Sequence, residues 1–419
     1  MKEKKEFAGF WFLSENPQKI VPGTVKFDPD TSLNLELIGN FFEEKISFFD
    51  HGKNYSELIH GVDSEGKKIS LVKCRVFNHV KTYKSKFSLT KYKIGYLLEG
   101  IHLSSENDKT FFQANFHTDK LNGWFARTNI KNSYTFNSDN EISGFNLSYD
   151  KSKDGFSFQS IFQGDFSLEI LSNSWQHEKD FDGIDIKEIY TVKIKQNSQI
   201  SFVDFIESIE KLILFFEFAF TSRVKIQSLY LFPYKSHLKK ETDKSIGLYY
   251  LQSRNLRPKS PYERPIFNFN LISESFDKIL NNWMSIDKRL EPILNYLIKS
   301  FQNDHNFDPS NFMTIINTLE GFHRRFRESK KIELKSRLNS IIDEFKTIDI
   351  ITRLDLDTFK ISKNRHYYSH FYEEDYEYLY EIGDLFGITV NLRILLICCI
   401  LRHIGFDDNL LNNVNLDTL

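Results

Sequence analysis

Two rhythms of apolar and polar positions divide the chain. From residue 6 to about 195, short runs alternate or are rich in β-branched residues: Lys19–Phe27, Leu33–Leu37, Lys68–Phe77, Lys91–Leu103, Thr110–His117, Phe156–Phe162 and Ile189–Lys195. Turn formers separate them, as in Asp28-Pro29-Asp30, Ser64-Glu65-Gly66 and Ser152-Lys153-Asp154-Gly155. A period of two sends successive side chains to opposite faces, so strands at this spacing predict an antiparallel, β-rich sandwich-like domain or a barrel. Residues 201–220 switch to helical periodicity, and strand-like runs return at Val224–Phe232 and Gly247–Leu251.

From about residue 270 the period is that of the α-helix. Helical patterns run over Ile272–Ser300, Pro309–Glu328, Ile332–Phe345, Leu356–Phe371, Tyr376–Phe386 and Val390–Ile404. In the second, Phe312, Ile315, Ile316, Leu319, Phe322 and Phe326 keep one buried face. Asp308-Pro309-Ser310 suits a helix start, because proline fits the first turn. The expected layout is α+β and multidomain: a β-rich domain over residues 1–255 containing one long helix (201–220), a linker at 256–269, and an all-α bundle at 270–419. The linker holds Pro258, Pro261 and Pro265 among charges.

Composition narrows the class. The 419 residues are 40% hydrophobic and 27% charged, with a net charge of -2, so an RNA contact needs a local basic patch. Three cysteines, Cys74, Cys398 and Cys399, make no disulfide framework and no paired metal motif, which fits a cytoplasmic protein. The opening MKEKKEFAGFWFL is too briefly apolar to read as a signal peptide. The apolar runs Leu212–Phe220, interrupted by Glu217, and Ile394–Leu401, flanked by Arg393 and Arg402, fall short of the ~20 residues that span a bilayer. No membrane association is expected. P-loop, GxGxxG and GxSxG motifs are absent from the sequence.

The polar concentration lies at Lys363-Asn364-Arg365-His366-Tyr367-Tyr368-Ser369-His370-Phe371. Arg365 and His370 project about 140° apart on a continuous helix, so they converge only if the helix ends near His370 or a partner helix or subunit completes the site. Arg-x4-His is common by chance, and an exposed arginine beside a core-edge histidine would account for it. Crowding of Lys363, Asn364, His366, Tyr368 and their neighbours onto one amphipathic element favours a site. These residue types suit metal-independent RNA cleavage. A histidine moves the proton of an attacking 2′-OH, and a planar guanidinium holds the charge on the phosphate. Products would be a 2′,3′-cyclic phosphate and a 5′-OH. A rival reading takes His366 and His370, i and i+4, as zinc ligands with Glu373 or Glu374, although Tyr367 stands where HExxH has its acid.

A second feature is Leu319-Glu320-Gly321-Phe322-His323-Arg324-Arg325-Phe326-Arg327. Glu320 and Arg324 form an i, i+4 pair that a solvated helix face would also carry. In the functional reading Glu320 orients Arg365 and His323 lines the cleft. Arg324, Arg325, Arg327, Lys330 and Lys331, continuing through Lys335 and Arg337, form a stripe for a phosphate backbone, joined by Lys363.

Arg365-His366 followed by His370 resembles the signature of HEPN ribonucleases. Leu319-Glu320 with His323-Arg324, and the ending Leu385-Phe386-Gly387 through Leu395-Leu396 to Ile404-Gly405, resemble the ApeA-like HEPN group. Phe7-Ala8-Gly9-Phe10-Trp11, Val21 to Phe27, Leu33 to Gly39, Ile59-His60-Gly61 and Gly66 to Leu71 resemble the ApeA N-terminal domain. The resemblance implies a C-terminal HEPN bundle working as a homodimer in abortive anti-phage defence. Arg365 and His370 would be catalytic, with His366, Glu320, His323, Asn364 and Tyr368 supporting, and no metal or cofactor is implied. It also implies an RNA partner such as tRNA, a phage-derived trigger, and an N-terminal domain that senses or restrains. The alternative is a non-catalytic dimeric binding protein with an inactive bundle.

Overall fold

The computed structural model describes residues 3–41, 55–81, 88–126, 130–149, 156–162, 166–179, 184–233, 245–252, 264–301 and 308–417. The turn at Ser152–Gly155 and most of the proline-rich linker lie outside them. The chain divides into two compact units. The first comprises residues 1–121, 128–210 and 225–255, and the second comprises 122–127, 211–224 and 256–419.

In the first unit the six strands β1 (Lys5–Leu13), β2 (Asn16–Asp28), β3 (Ser32–Ile38), β4 (Tyr55–Asp63), β5 (Lys68–Lys81) and β6 (Ser88–Lys93) are antiparallel. Their order β5-β4-β1-β2-β3-β6 closes on itself because β6 also pairs with β5. Of the two arrangements the alternation allowed, this part is therefore a barrel, which leaves no free edge. One inward row runs Phe7, Val25, Leu35, Tyr92, Val76 across five strands, every member buried.

The predicted strand Lys91–Leu103 is two strands, because one edge of β5 serves two partners. Its Arg75–Lys81 half pairs with β6, and Ile69–Val72 pairs with β7 (Tyr96–Glu99). At the switch the Gly95 N–H donates to the carbonyls of Val72 and Lys73 at 3.1 and 3.2 Å. A Cβ on Gly95 would lie 2.9 Å from that of Lys73, so the position has room for glycine and little else. The sheet continues through β8 (Phe111–Thr118), β11 (Phe156–Phe162), β12 (Phe166–Lys179), β13 (Ile184–Ile200), β14 (Ile226–Phe232) and β15 (Ile246–Tyr250). β9 (Ile130–Phe136) and β10 (Ile142–Tyr149) form a separate hairpin.

The second unit gathers two pieces that the sequence alone assigns to the β-rich half: α1 (Leu121–Phe125) from Asn122 onward, and the end of α2 (Phe202–Phe220). Trp124 packs edge-on against Phe125, Phe215, Phe216 and Phe269. The Trp283 indole donates to the Lys211 carbonyl at 2.8 Å, and the Ile266 amide to that of Ala219 at 2.7 Å. Ile266, Phe267 and Phe269, at the end of the expected linker, are thus core residues.

The helices are α3 (Phe269–Ile272), α4 (Phe276–Met284), α5 (Glu291–Ser300), α6 (Pro309–Phe326), α7 (Leu334–Glu344), α8 (Asp349–Thr352), α9 (Thr358–His370), α10 (Ile382–His403) and α11 (Asp408–Asn412). The expected single helix over Ile272–Ser300 is three, broken after Ile272 and Met284 and restarted with Pro292 in the first turn of α5. The expected helices Tyr376–Phe386 and Val390–Ile404 instead become a 3-10 turn over Glu373–Tyr378 and one 22-residue helix, α10. Their glycines, Gly383 and Gly387, are tolerated inside it.

By length and composition α10 could cross a bilayer, but 72% of its most apolar window is buried in the bundle. Residues 394–401 are buried on every side, as the central helix of a bundle must be. Midway, Arg393 donates to the Ser300 carbonyl at 3.1 Å and lies over the Phe301 ring, and burial pushes its pKa down to about 10. On α6 the predicted face holds: Phe312, Ile315, Ile316, Leu319 and Phe322 are fully buried, while the Phe326 ring lies tilted against His403 at 4.8 Å between centroids.

Candidate active site

The polar cluster sits on α9. Asp357 caps its first turn by accepting from the Phe359 and Lys360 amides. The helix stops at His370 because Phe371 takes a left-handed conformation, φ +57°, with its amide bonded to the Tyr367 carbonyl. His370 is the last helical residue, and its ring stands exposed.

Two faces of α9 carry different groups. Lys363, His366 and His370 lie within about 60° of one another by the helical step. Lys363 Nζ donates to Asp375 Oδ1 at 2.9 Å, and His366 Nδ1 lies 2.5 Å from Asp375 Oδ2. The Asp375 side chain is fully buried, and these two bonds hold its carboxyl below the usual range. The His370 ring stacks on Tyr372 with 5.5 Å between centroids, and lies 5.0 Å from His366. Arg365 points toward α6, where its Nη2 is 3.4 Å from Glu320 Oε2; the other Glu320 oxygen takes Arg324. Among the described residues no hydrogen bond or ring contact joins Arg365 to His370.

Asn364 is fully buried and fastens the following 3-10 turn. Its amide donates to the Lys360 and Tyr378 carbonyls, each at 2.8 Å, and its oxygen accepts from the Tyr380 amide at 3.0 Å. Tyr368 packs edge-on against Phe312. The residues that spacing did not single out are Asp375 and Tyr372. Their signal was the acidic and aromatic stretch from Tyr372 to Tyr376, directly after the motif.

Where the sequence suggested a histidine lining the cleft, the structure buries it. His323 is 1% exposed, and Arg337 Nη1 donates to its Nδ1 at 2.9 Å. Arg337, expected in the basic stripe, is buried as well. It donates to the Glu328 and Lys330 carbonyls at 2.8 and 2.6 Å, so it pins the turn after α6. Of the stripe, Arg324, Arg325, Lys330, Lys331 and Lys335 are exposed. Arg327 is paired bidentately with Glu344, and Lys363 with Asp375. For the zinc reading, no group of three or more His, Cys, Asp or Glu converges among the described residues.

Burial and the nearby Arg337 and Arg327 hold the His323 pKa below 6.5, and burial and Arg327 do the same for His403. Both rings fold neutral, so as pH falls through about 6.5 the unfolded chain takes up protons that the folded chain resists. Stability present above that pH is expected to decline below it. Thermal melts between pH 7.5 and 5.5 measure this, and His323→Gln should flatten the slope. An unchanged melting temperature across that range would contradict it.

With the site in place, comparison with known families decides the relationship. The family described as ApeA N-terminal domain 1 matches residues 6–283, well over half of the chain. The chain belongs to the ApeA family. The Apea-like HEPN family matches residues 313–410, a segment that contains Glu320, Arg365, His366, His370 and Asp375. This ApeA-type protein thus joins a β-rich N-terminal region to a helical HEPN domain, and the whole polar cluster of α9 falls inside the HEPN segment. No curated protein and no solved structure matches the chain.

Proposed function

We propose that this ApeA-family protein is an anti-phage endoribonuclease. Arg365 and His370 of its HEPN domain cleave RNA without a metal ion. The observation that carries the reading is the termination of α9 at His370. It leaves an imidazole in solvent beside a second imidazole, with a guanidinium held on the same helix by Glu320. One imidazole takes the proton from a ribose 2′-OH as the 2′-oxygen attacks phosphorus. The P–O5′ bond breaks, and the 5′-oxygen leaves with a proton from the other imidazole. Arg365 neutralises charge on the non-bridging oxygens. Exposed Arg324, Lys330 and Lys331 supply backbone contacts.

Arg365 and His370 leave α9 on different faces, so one chain presents half of a cleft. Phe371 (69% exposed) and Tyr376 (68%) lie at the end of the helix, each packed edge-on against Tyr367. An apolar surface of this kind suits a second copy, whose Arg365 would face the first copy's His370 across a dimer interface. The β-rich domain senses a phage-derived trigger or restrains the nuclease, and the protein acts in the cytoplasm on cellular RNA such as tRNA.

The test is incubation of the full-length protein, with phage lysate and without it, with a cellular RNA pool in the presence and in the absence of EDTA. Cleavage to cyclic-phosphate ends is expected. Intact RNA under every condition would favour a binding protein, and cleavage abolished by EDTA would restore the metal reading.

A further inference from the structure

A buried carboxylate that serves two partners is the least expected feature of the bundle. Asp375 lies in the 3-10 turn Glu373–Tyr378, and its side chain is 0% exposed. Removing a carboxylate from water is costly unless its charge is balanced and its lone pairs are used. Lys363 balances the charge through Oδ1. Oδ2 is then free for the nearest donor, His366 Nδ1 at 2.5 Å.

Attachment of the turn to α9 does not require that second contact. Asn364 already bonds the turn through the Tyr378 carbonyl and the Tyr380 amide, and Lys363 reaches Asp375 separately. What the contact fixes is the imidazole. An acceptor-only carboxylate at Nδ1 requires the proton to sit on that nitrogen, so Nε2 of the neutral ring carries the lone pair. The ring is 41% exposed, beside His370 and Tyr372 at 5.0 and 5.1 Å between centroids. When Nε2 takes a proton, the new positive charge forms opposite a carboxylate that is already in place.

We propose that Asp375 is a positioning residue that holds His366 as the Nδ1–H tautomer and makes His366 Nε2 the atom that accepts the 2′-OH proton. This rests on the ribonuclease reading and deepens it. His366 ceases to be a supporting polar residue and becomes the base, and His370, at the open end of the helix, protonates the leaving 5′-oxygen. The step balances: the proton lost by the 2′-hydroxyl goes to His366, and the one gained by the 5′-oxygen comes from His370.

The test uses the full-length chain labelled with ¹⁵N-histidine, at a pH where the rings are neutral. Two-bond ¹H–¹⁵N spectra distinguish the tautomers, and the His366 signals are those lost in His366→Gln. Protonated Nδ1 with bare Nε2 is expected in the wild type, a measurement that needs no change at Asp375. In RNA cleavage, Asp375→Asn should lower kcat about 10²-fold with KM little changed, because the ring is misdirected rather than the substrate released. An Nε2–H tautomer at His366 in the wild type overturns the inference. So does wild-type kcat in Asp375→Asn while Arg365→Ala is inactive, an outcome that leaves the nuclease reading standing. Wild-type protein that cuts no RNA removes the nuclease reading first, and this inference with it.

Discussion

Arg365→Ala and His370→Ala are each expected to reduce RNA cleavage by about 10²- to 10⁴-fold while leaving the fold intact. The effect is large because each removes a group that acts directly on the reacting phosphate or its leaving oxygen. Arg365 is the cation of α9 held by Glu320, and His370 ends the helix in solvent. Stability should change little, since the His370 ring is exposed and the Arg365 contact to Glu320 is long, at 3.4 Å. Single-turnover rates on the RNA that the wild type cleaves measure the first effect, and thermal melts the second. The double variant should be no slower than the worse single one, because groups acting in one step are not additive. Wild-type rates in either variant would remove that residue from the chemistry.

The largest loss of stability is expected from Arg223→Ala, at about 3–5 kcal/mol. Glu217 interrupts the apolar end of α2, and its side chain is 4% exposed. Arg223 Nη1 donates to one of its oxygens at 2.8 Å, and the Val224 amide lies 3.4 Å from the other. Without the guanidinium, a carboxylate that is 4% exposed loses the charged partner 2.8 Å from it. The pair Glu217→Leu with Arg223→Met should recover most of the loss, since replacing both members of a buried ion pair by apolar groups is often neutral. Denaturant unfolding of the three proteins decides it. A loss below about 1 kcal/mol in Arg223→Ala would show that the charge finds another partner or water.

Much of the architecture was legible in the pattern of side chains. The strand runs at 19–27, 33–37, 68–77 and 110–117 and the face of α6 match the structure, because each depends on local periodicity and burial of one side. Helix boundaries around residues 376–390 do not. The turn Glu373–Tyr378 exists because Asn364 and Lys363 of the preceding helix hold it, and nothing local to the turn announces those bonds. The same reason hid Asp375: three acidic residues in a row look alike until one is found buried under a histidine. His323 and Arg337 were misread in the opposite sense. Polar groups in a basic run look solvated, yet fourteen positions apart they bond to each other inside the bundle.

The sequence by itself determined the two structural classes and the concentration of polar groups on one late helix. These follow from periodicity and composition, which need no knowledge of distant residues. Tertiary structure decided the barrel closure through the shared edge of β5, and the inclusion of residues 122–127 and 211–224 in the helical unit. It also decided which polar groups of α9 face Glu320 and which face Asp375. Each of these depends on partners far apart in the chain, and burial is what selects among them: an aromatic ring or an ion pair gains its energy from whatever excludes water around it.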